Sequence, residues 1–225
     1  VSDMQSAGRG RRGRSWESPA GTNIYYTLML KPDFSSDCAP MLTLVMALAV
    51  AKGIRQTLRR DSEEAAAKVG IKWPNDIVVD GKKVCGILTE MSMEQGYIQH
   101  IVIGVGINVR KQEFPEEIRD RAAAIDEQCG FRISRSQLIA DIMEAFEEDY
   151  EIFLRTHDLK GLRASYAELL VNQDREVCVL DPKGEYRGIA RGINDQGELI
   201  VERQDGTVEE VYAGEVSVRG IYGYV

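Results

Sequence analysis

Residues Gly8 to Trp16 read GRGRRGRSW, and their types suit an anion. Four arginines and three glycines occupy seven consecutive positions, with an indole two residues beyond. Guanidinium forks meet carboxylate and phosphate oxygens two at a time. Glycines let a backbone approach a ligand closely and take positive φ. Such a loop fits an anionic, phosphate-bearing ligand, with Trp16 offering a flat face to a base. A flexible basic arm and an RGG-like RNA-binding segment share this composition, so the loop alone leaves three readings open. The glycines give it high backbone entropy and the four like charges repel. It is therefore expected to be mobile until an anion arrives.

Lys72-Trp73-Pro74-Asn75-Asp76 form a second polar cluster, with a cation, an amide and a carboxylate around a proline. Pro74 fixes its own φ and biases Trp73 toward extended backbone. A plain surface turn with an indole packed beneath it would carry the same residues. Lys82, Lys83, Gly86 and Leu88 follow in GKKVCGIL, and Gly104, Gly106 and Asn108 in GVGIN. Histidines occur only at 100 and 157, neither beside a plausible nucleophile. Both are read as structural, so any chemistry must proceed without a histidine base. Cys38, Cys85, Cys129 and Cys178 show no CxxC pairing and read as reduced, semi-buried thiols of a cytoplasmic protein.

These residues need elements to hold them. Ile24 to Leu30 is a candidate buried strand, rich in β-branched and aromatic residues. After Pro40, MLTLVMALAVAKGIRQTL is apolar on nearly every face and predicts a central buried helix. Ile77–Val79 and Val84–Leu88 flank Asp80-Gly81, a two-residue hairpin signal. Ile98 to Val109 is a further strand, whose glycines at 104 and 106 suggest a ligand or backbone passing close on one face. Ser134 to Leu154 is the clearest helix. Ser134 and Gln137 suggest a capping box, Leu138, Ile142, Met143, Phe146, Tyr150, Phe153 and Leu154 form an apolar stripe, and Glu144, Glu147, Glu148 and Glu151 form a solvated face. From Glu176 onward, EVCVL, YRGIARGI, LIVER, VEEVY and EVSVRGI alternate between tight turns and read as a small β-barrel. Two domains are expected, 1–171 and 172–225.

The 225 residues are 44% hydrophobic and 28% charged, with a net charge of −8. The arginine loop is thus a local exception on an acidic chain, which lowers the odds of general nucleic-acid binding. No apolar run is expected to approach the roughly 18 residues that span a membrane, and no signal peptide is visible.

GRGRRGRSW, KWPND, GKKVCGIL and GVGIN, in this order and spacing, resemble the biotin protein ligases, which adenylate biotin and attach it to a carrier-protein lysine. GEVSVRGI near the end resembles that family's small C-terminal domain. The resemblance implies an α+β fold: a mixed β-sheet flanked by helices, class II synthetase-like, followed by an SH3-like barrel. It implies ATP, biotin and a biotin carboxyl carrier domain as partners, with magnesium accompanying ATP, no tightly bound prosthetic group, no membrane and no nucleic acid. A homodimer is left open. Carried over residue by residue, Gln5, Gly8, Arg9 and Gly10 line the biotin side, and Arg11 meets the carboxylate and α-phosphate. Lys83 reaches the same oxygens, and Gly86, Leu88, Gly104 and Gly106 form a backbone wall beneath biotin. Arg14, Trp16, Lys72, Asn75, Asp76 and Asn108 take the nucleotide side, with Trp16 stacking on adenine and Asp76 a candidate for placing magnesium. Arg11, Lys72 and Lys83 are the expected catalytic cations.

In one respect the chain departs from the family. Its Ser/Thr-Thr-Asn stretch, whose hydroxyls bond the biotin ureido ring, belongs upstream of the arginine loop and is absent from the 225 residues, as are the first strand and helix. No basic helix-turn-helix pattern of a biotin-responsive repressor is seen. A lipoate–protein ligase is the nearer rival. A nucleic-acid-binding module is the rival from another class, disfavoured because residues 176–225 hold more acids than bases.

Overall fold

The computed structural model describes residues 1–181, 184–213, 217–220 and 224. Strand β1 (Ile24–Leu30) forms where its aromatic and branched residues predict it. It lies at a sheet edge, so only its first three residues are fully buried and the rest alternate, which corrects the expectation of a strand buried throughout. Helix α1 (Met41–Arg59) is buried on nearly every face. With the short turn preceding it, residues 36–59 are long and apolar enough to cross a membrane by length and composition, a correction to the expectation that no run approaches that length. Most of this stretch is instead covered by the protein itself, packed between the sheet and a second long helix.

Ser62 caps α2 (Glu63–Ala67), accepting a hydrogen bond from the Ala65 amide, and the chain enters β2 (Val69–Lys72). Next come β3 (Asp76–Val79) and β4 (Lys82–Glu94), joined by Asp80 and Gly81 at φ 51° and 74°. That left-handed pair is what a tight hairpin requires. Strand β5 (Tyr97–Ile107) completes a sheet of order β1-β5-β4-β3-β2. Its ladders are all antiparallel. Among the described residues, the parallel pairing expected of a mixed sheet is confined to isolated bridges between Ile71 and Leu170 and between Lys83 and Ala122.

Helix α3 (Ile125–Cys129) leads to α4 (Arg135–Thr156), which packs along α1. Ser134 accepts from the Gln137 amide at 3.3 Å, but the Gln137 side chain donates to Asp141 at 2.9 Å instead of closing the capping box. Leu138, Ile142, Phe146 and Phe153 are buried, Met143 and Tyr150 partly so, and Leu154 remains exposed. The four glutamates face outward as expected. Two aspartates on the inner face were not anticipated. Asp149 pairs with Lys52 at 2.5 Å, and Asp141 accepts from Thr57 at 2.6 Å and from Arg60. His157 ends the helix at φ 56° with its ring against Phe34 and Phe153, a structural role. All four cysteines are free, and Cys85 is wholly buried.

After α5 (Arg163–Leu169) come β6 (Glu176–Asp181), β7 (Gly184–Ile193), β8 (Leu199–Glu202), β9 (Val208–Val211) and β10 (Ser217–Gly220). They form an antiparallel sheet of order β10-β6-β7-β8-β9. Of the GEVSVRGI stretch, positions 214–216 and 221 lie outside the described residues, and 217–220 form β10. Trp73 pins the two sheets together. Its indole is 1% exposed, Nε1 donates to the Gly197 carbonyl at 2.9 Å, and its amide donates to Asn172 Oδ1 at 3.0 Å.

Candidate active site

Cross-strand register assembles the site. Lys72 on β2 faces Asp76 on β3, Asp76 faces Gly86 on β4, Gly86 faces Gly106 on β5, and Gly106 faces Tyr25 on β1. Directly opposed residues share a sheet face, so three separated motifs become one transverse row. Two residues along lies a parallel row, Leu88–Gly104–Thr27, and beyond it Glu90–Val102–Met29. The opposite face of the same strands, including Ile77, Cys85, Val105 and Ile107, is core.

The arginine loop folds over these rows and encloses a cavity of about 180 Å³. Gln5, Arg9, Gly10, Arg11, Trp16, Asn75, Lys83, Gly86, Leu88, Gly104 and Gly106 line it, bringing together most of the residues singled out in the sequence. Gly8 supports the loop from behind, its carbonyl accepting from the Trp16 amide at 2.9 Å. Arg14 is exposed, and Asn108 is buried in a polar network with Gln112. Lys72 and Asp76 form a layer behind Lys83, 6% and 9% exposed. Sequence reasoning missed Thr27, Glu90 and Val102. Glu90 was within reach of it, being two alternations along β4 from Gly86 on the same face.

In this structure the loop has partners on other segments. Arg9 pairs with Glu90 at 2.9 Å, and Arg11 donates to Asn75 Oδ1 at 2.7 Å and to the Ala213 carbonyl. Gly10 donates to the Arg14 carbonyl at 2.7 Å, closing a tight turn. Partners on three other segments thus offset the repulsion among the arginines. Burial lowers the Arg11 pKa and Asp76 pulls it back up, both within a range where the guanidinium stays charged.

Trp16 occupies the glycine wall. A Cβ at Gly106 would come within 2.5 Å of its Nε1, and one at Gly86 within 2.8 Å of its ring. Only glycines let the indole lie this close. Lys83 Nζ is 5.4 Å from the ring centroid, and among the described residues the buried indole N–H meets no acceptor. The electrostatic centre is Asp76, whose Oδ1 is 2.5 Å from Lys83 Nζ. Burial pushes this carboxyl up, but Lys83 and Lys72 more than offset that and hold it below the usual carboxylate range. Its other oxygen accepts from the Tyr224 hydroxyl, so both oxygens are engaged. Among the described residues no cluster of three or more His, Cys, Asp or Glu could hold a metal. With both oxygens engaged, Asp76 would help hold a magnesium ion only by giving up Lys83 or the Tyr224 hydroxyl.

A helix-backed antiparallel sheet with a cationic, loop-covered cavity, joined to a small β unit, is the class of protein this geometry defines. Residues 1–108 match the family described as biotin/lipoate A/B protein ligases, and residues 174–219 match the biotin protein ligase C-terminal domain. A Paracoccus denitrificans protein named biotin–[acetyl-CoA-carboxylase] ligase is 30% identical over 217 residues, covering 93% of this chain and 88% of its own. The chain belongs to the biotin protein ligase family. It is also 36% identical over 222 residues to the bifunctional ligase/repressor BirA of Bacillus spizizenii, matching 97% of this chain but spanning only 65% of that protein's length. A biotin protein ligase from Aquifex aeolicus, solved with biotin and ATP, superimposes with a TM-score of 0.81 at 29% identity, covering 97% of this chain and 87% of its own.

Proposed function

We propose that this chain is an ATP-dependent biotin–protein ligase, with residues 1–171 forming the catalytic unit and 172–225 the small β unit. It would convert biotin to biotinyl-5'-AMP with release of pyrophosphate, then transfer biotin to a lysine of a carrier such as a biotin carboxyl carrier domain. The observation that carries this reading is the transverse row, which sets Lys72 and Asp76, the latter paired with Lys83, beside a glycine floor under an arginine loop.

Biotin's carboxylate is ionised near neutral pH and is itself the nucleophile on the α-phosphorus, so no histidine base is needed. The obstacle is charge, because an anion must approach a polyanion while negative charge passes to the leaving pyrophosphate. Arg11 and Lys83, both on the cavity, are set to neutralise it where it develops, and Lys72 adds its field from behind. Asp76 keeps Lys83 aimed in the meantime. Magnesium would accompany the nucleotide's phosphates and supply charge neutralisation there, with Asp76 the carboxylate placed to help hold it. Gln5, Gly8, Arg9, Gly10, Gly86, Leu88, Gly104 and Gly106 take the biotin side. Arg14, Trp16, Asn75 and Asn108 take the nucleotide side, and Trp16 must leave the glycine wall for a ligand to reach it. In the second step the carrier amine attacks the mixed anhydride and expels AMP. A loop that closes over that anhydride keeps water from it.

The test is pyrophosphate release from ATP with biotin or with lipoate, followed by intact-mass measurement of a carrier domain. Biotin-dependent release and one added biotinyl group are expected. Release with lipoate alone would move the chain to the lipoate branch, and no release with either would overturn the reading.

A further inference from the structure

The described residue nearest the C-terminal end, Tyr224, reaches the heart of the site. Its hydroxyl donates to Asp76 Oδ2, and Lys72 Nζ stands 4.0 Å from its ring centroid. Burial raises its pKa, so the phenol keeps its proton and remains a donor. Nothing in KWPND announces such a partner, because 148 positions separate Tyr224 from Asp76. Arg11 is likewise tied to residue 213, so the distal part of the chain touches two of the site's cations, Lys72 and Arg11.

We propose that Tyr224 is a positioning residue of the adenylation site, resting on the ligase reading above. It acts at two points. The hydroxyl fixes one oxygen of Asp76, which turns the other toward Lys83 and sets where that ammonium sits over the cavity. The ring seats the Lys72 ammonium through a cation–π contact, fixing where its charge lies beneath the phosphates. The two actions separate by substitution. Tyr224→Phe removes the hydroxyl and keeps the ring, whereas Tyr224→Ala removes both.

The experiment measures steady-state pyrophosphate release by the full chain, with kcat and the KM for ATP and for biotin in the parent protein and both variants. Tyr224→Phe should lower kcat about tenfold, the scale of one lost charge-assisted hydrogen bond, with both KM values within about twofold of the parent. Tyr224→Ala should lower kcat at least as far and also raise the KM for ATP severalfold, a rise that Phe abolishes. Parent-like kinetics in both variants would overturn the inference alone. So would parallel loss of kcat, both KM values and thermal midpoint, which marks a merely structural residue. A parent protein that releases no pyrophosphate with biotin would instead overturn the underlying ligase reading.

Discussion

At the residue scale, the site turns on which charges are already compensated. Lys83 and Asp76 are a partly buried pair, a geometry in which the Coulomb gain must offset desolvation of both ions. An incoming phosphate changes that balance by offering Lys83 a second anion. Lys83→Ala should therefore slow adenylate formation by about a hundredfold or more, while biotin affinity in the absence of ATP changes far less. Rapid-quench measurement of the first turnover against a biotin titration separates the two effects, and a parent-like first turnover would remove Lys83 from catalysis. Arg11 has a different task, since it joins the loop to Asn75 and to the Ala213 carbonyl. Arg11→Ala should leave a folded protein that loses its adenylate faster, by about tenfold for one charge-assisted contact. Adenylate retention on a desalting column reads this directly.

At the element scale, α1 backs the sheet and α4 packs on α1, the two helices joined by buried charge as well as apolar packing. Asp141 accepts from Thr57, Arg60 and Gln137. Burial pushes its carboxyl up, but these hydrogen bonds, the Arg60 contact first among them, hold it below the ordinary 3.8. A depressed carboxylate contributes stability that is present above the unfolded value and lost as pH falls through the folded one. Asp141→Asn should thus lower stability by about 1–2 kcal/mol at pH 7, discounted because Arg60 is partly exposed. The deficit should shrink as the pH is taken from 7 down through the ordinary 3.8 and below. Urea midpoints along that series check it, and a pH-independent deficit would mean that charge at Asp141 is not what joins the helices.

At the scale of the whole molecule, the two sheets meet through Trp73, Asn172 and Gly197 on one side and through Arg11–Ala213 and Asp76–Tyr224 on the other. The same pentapeptide that supplies Asn75 and Asp76 to the site therefore supplies the joint. Trp73→Phe keeps most of the buried ring but leaves the Gly197 carbonyl without its donor, at a cost of about 1–3 kcal/mol. The urea midpoint should fall accordingly, and an unchanged midpoint would show that packing alone holds the joint.

Much of this was legible before any coordinates. Local chemistry is short-ranged, so Pro40 ahead of an apolar run, Asp80-Gly81 between branched residues, and Ser134 at a helix start each announce their element within a few positions. The motif residues declare the chemistry too, since arginines, lysines and glycines in that order suit one kind of ligand. Three things were decided only by tertiary structure. Pairing register placed Lys72, Asp76, Gly86 and Gly106 in one row, and register depends on hydrogen bonds between strands, not on any single strand's pattern. Packing laid Trp16 on the glycine wall, where Gly86 and Gly106 leave room for the indole against the strands. Closure of the distal segment brought Tyr224 to Asp76, a contact whose partners share no local signal because chain folding, not neighbourhood, makes them meet.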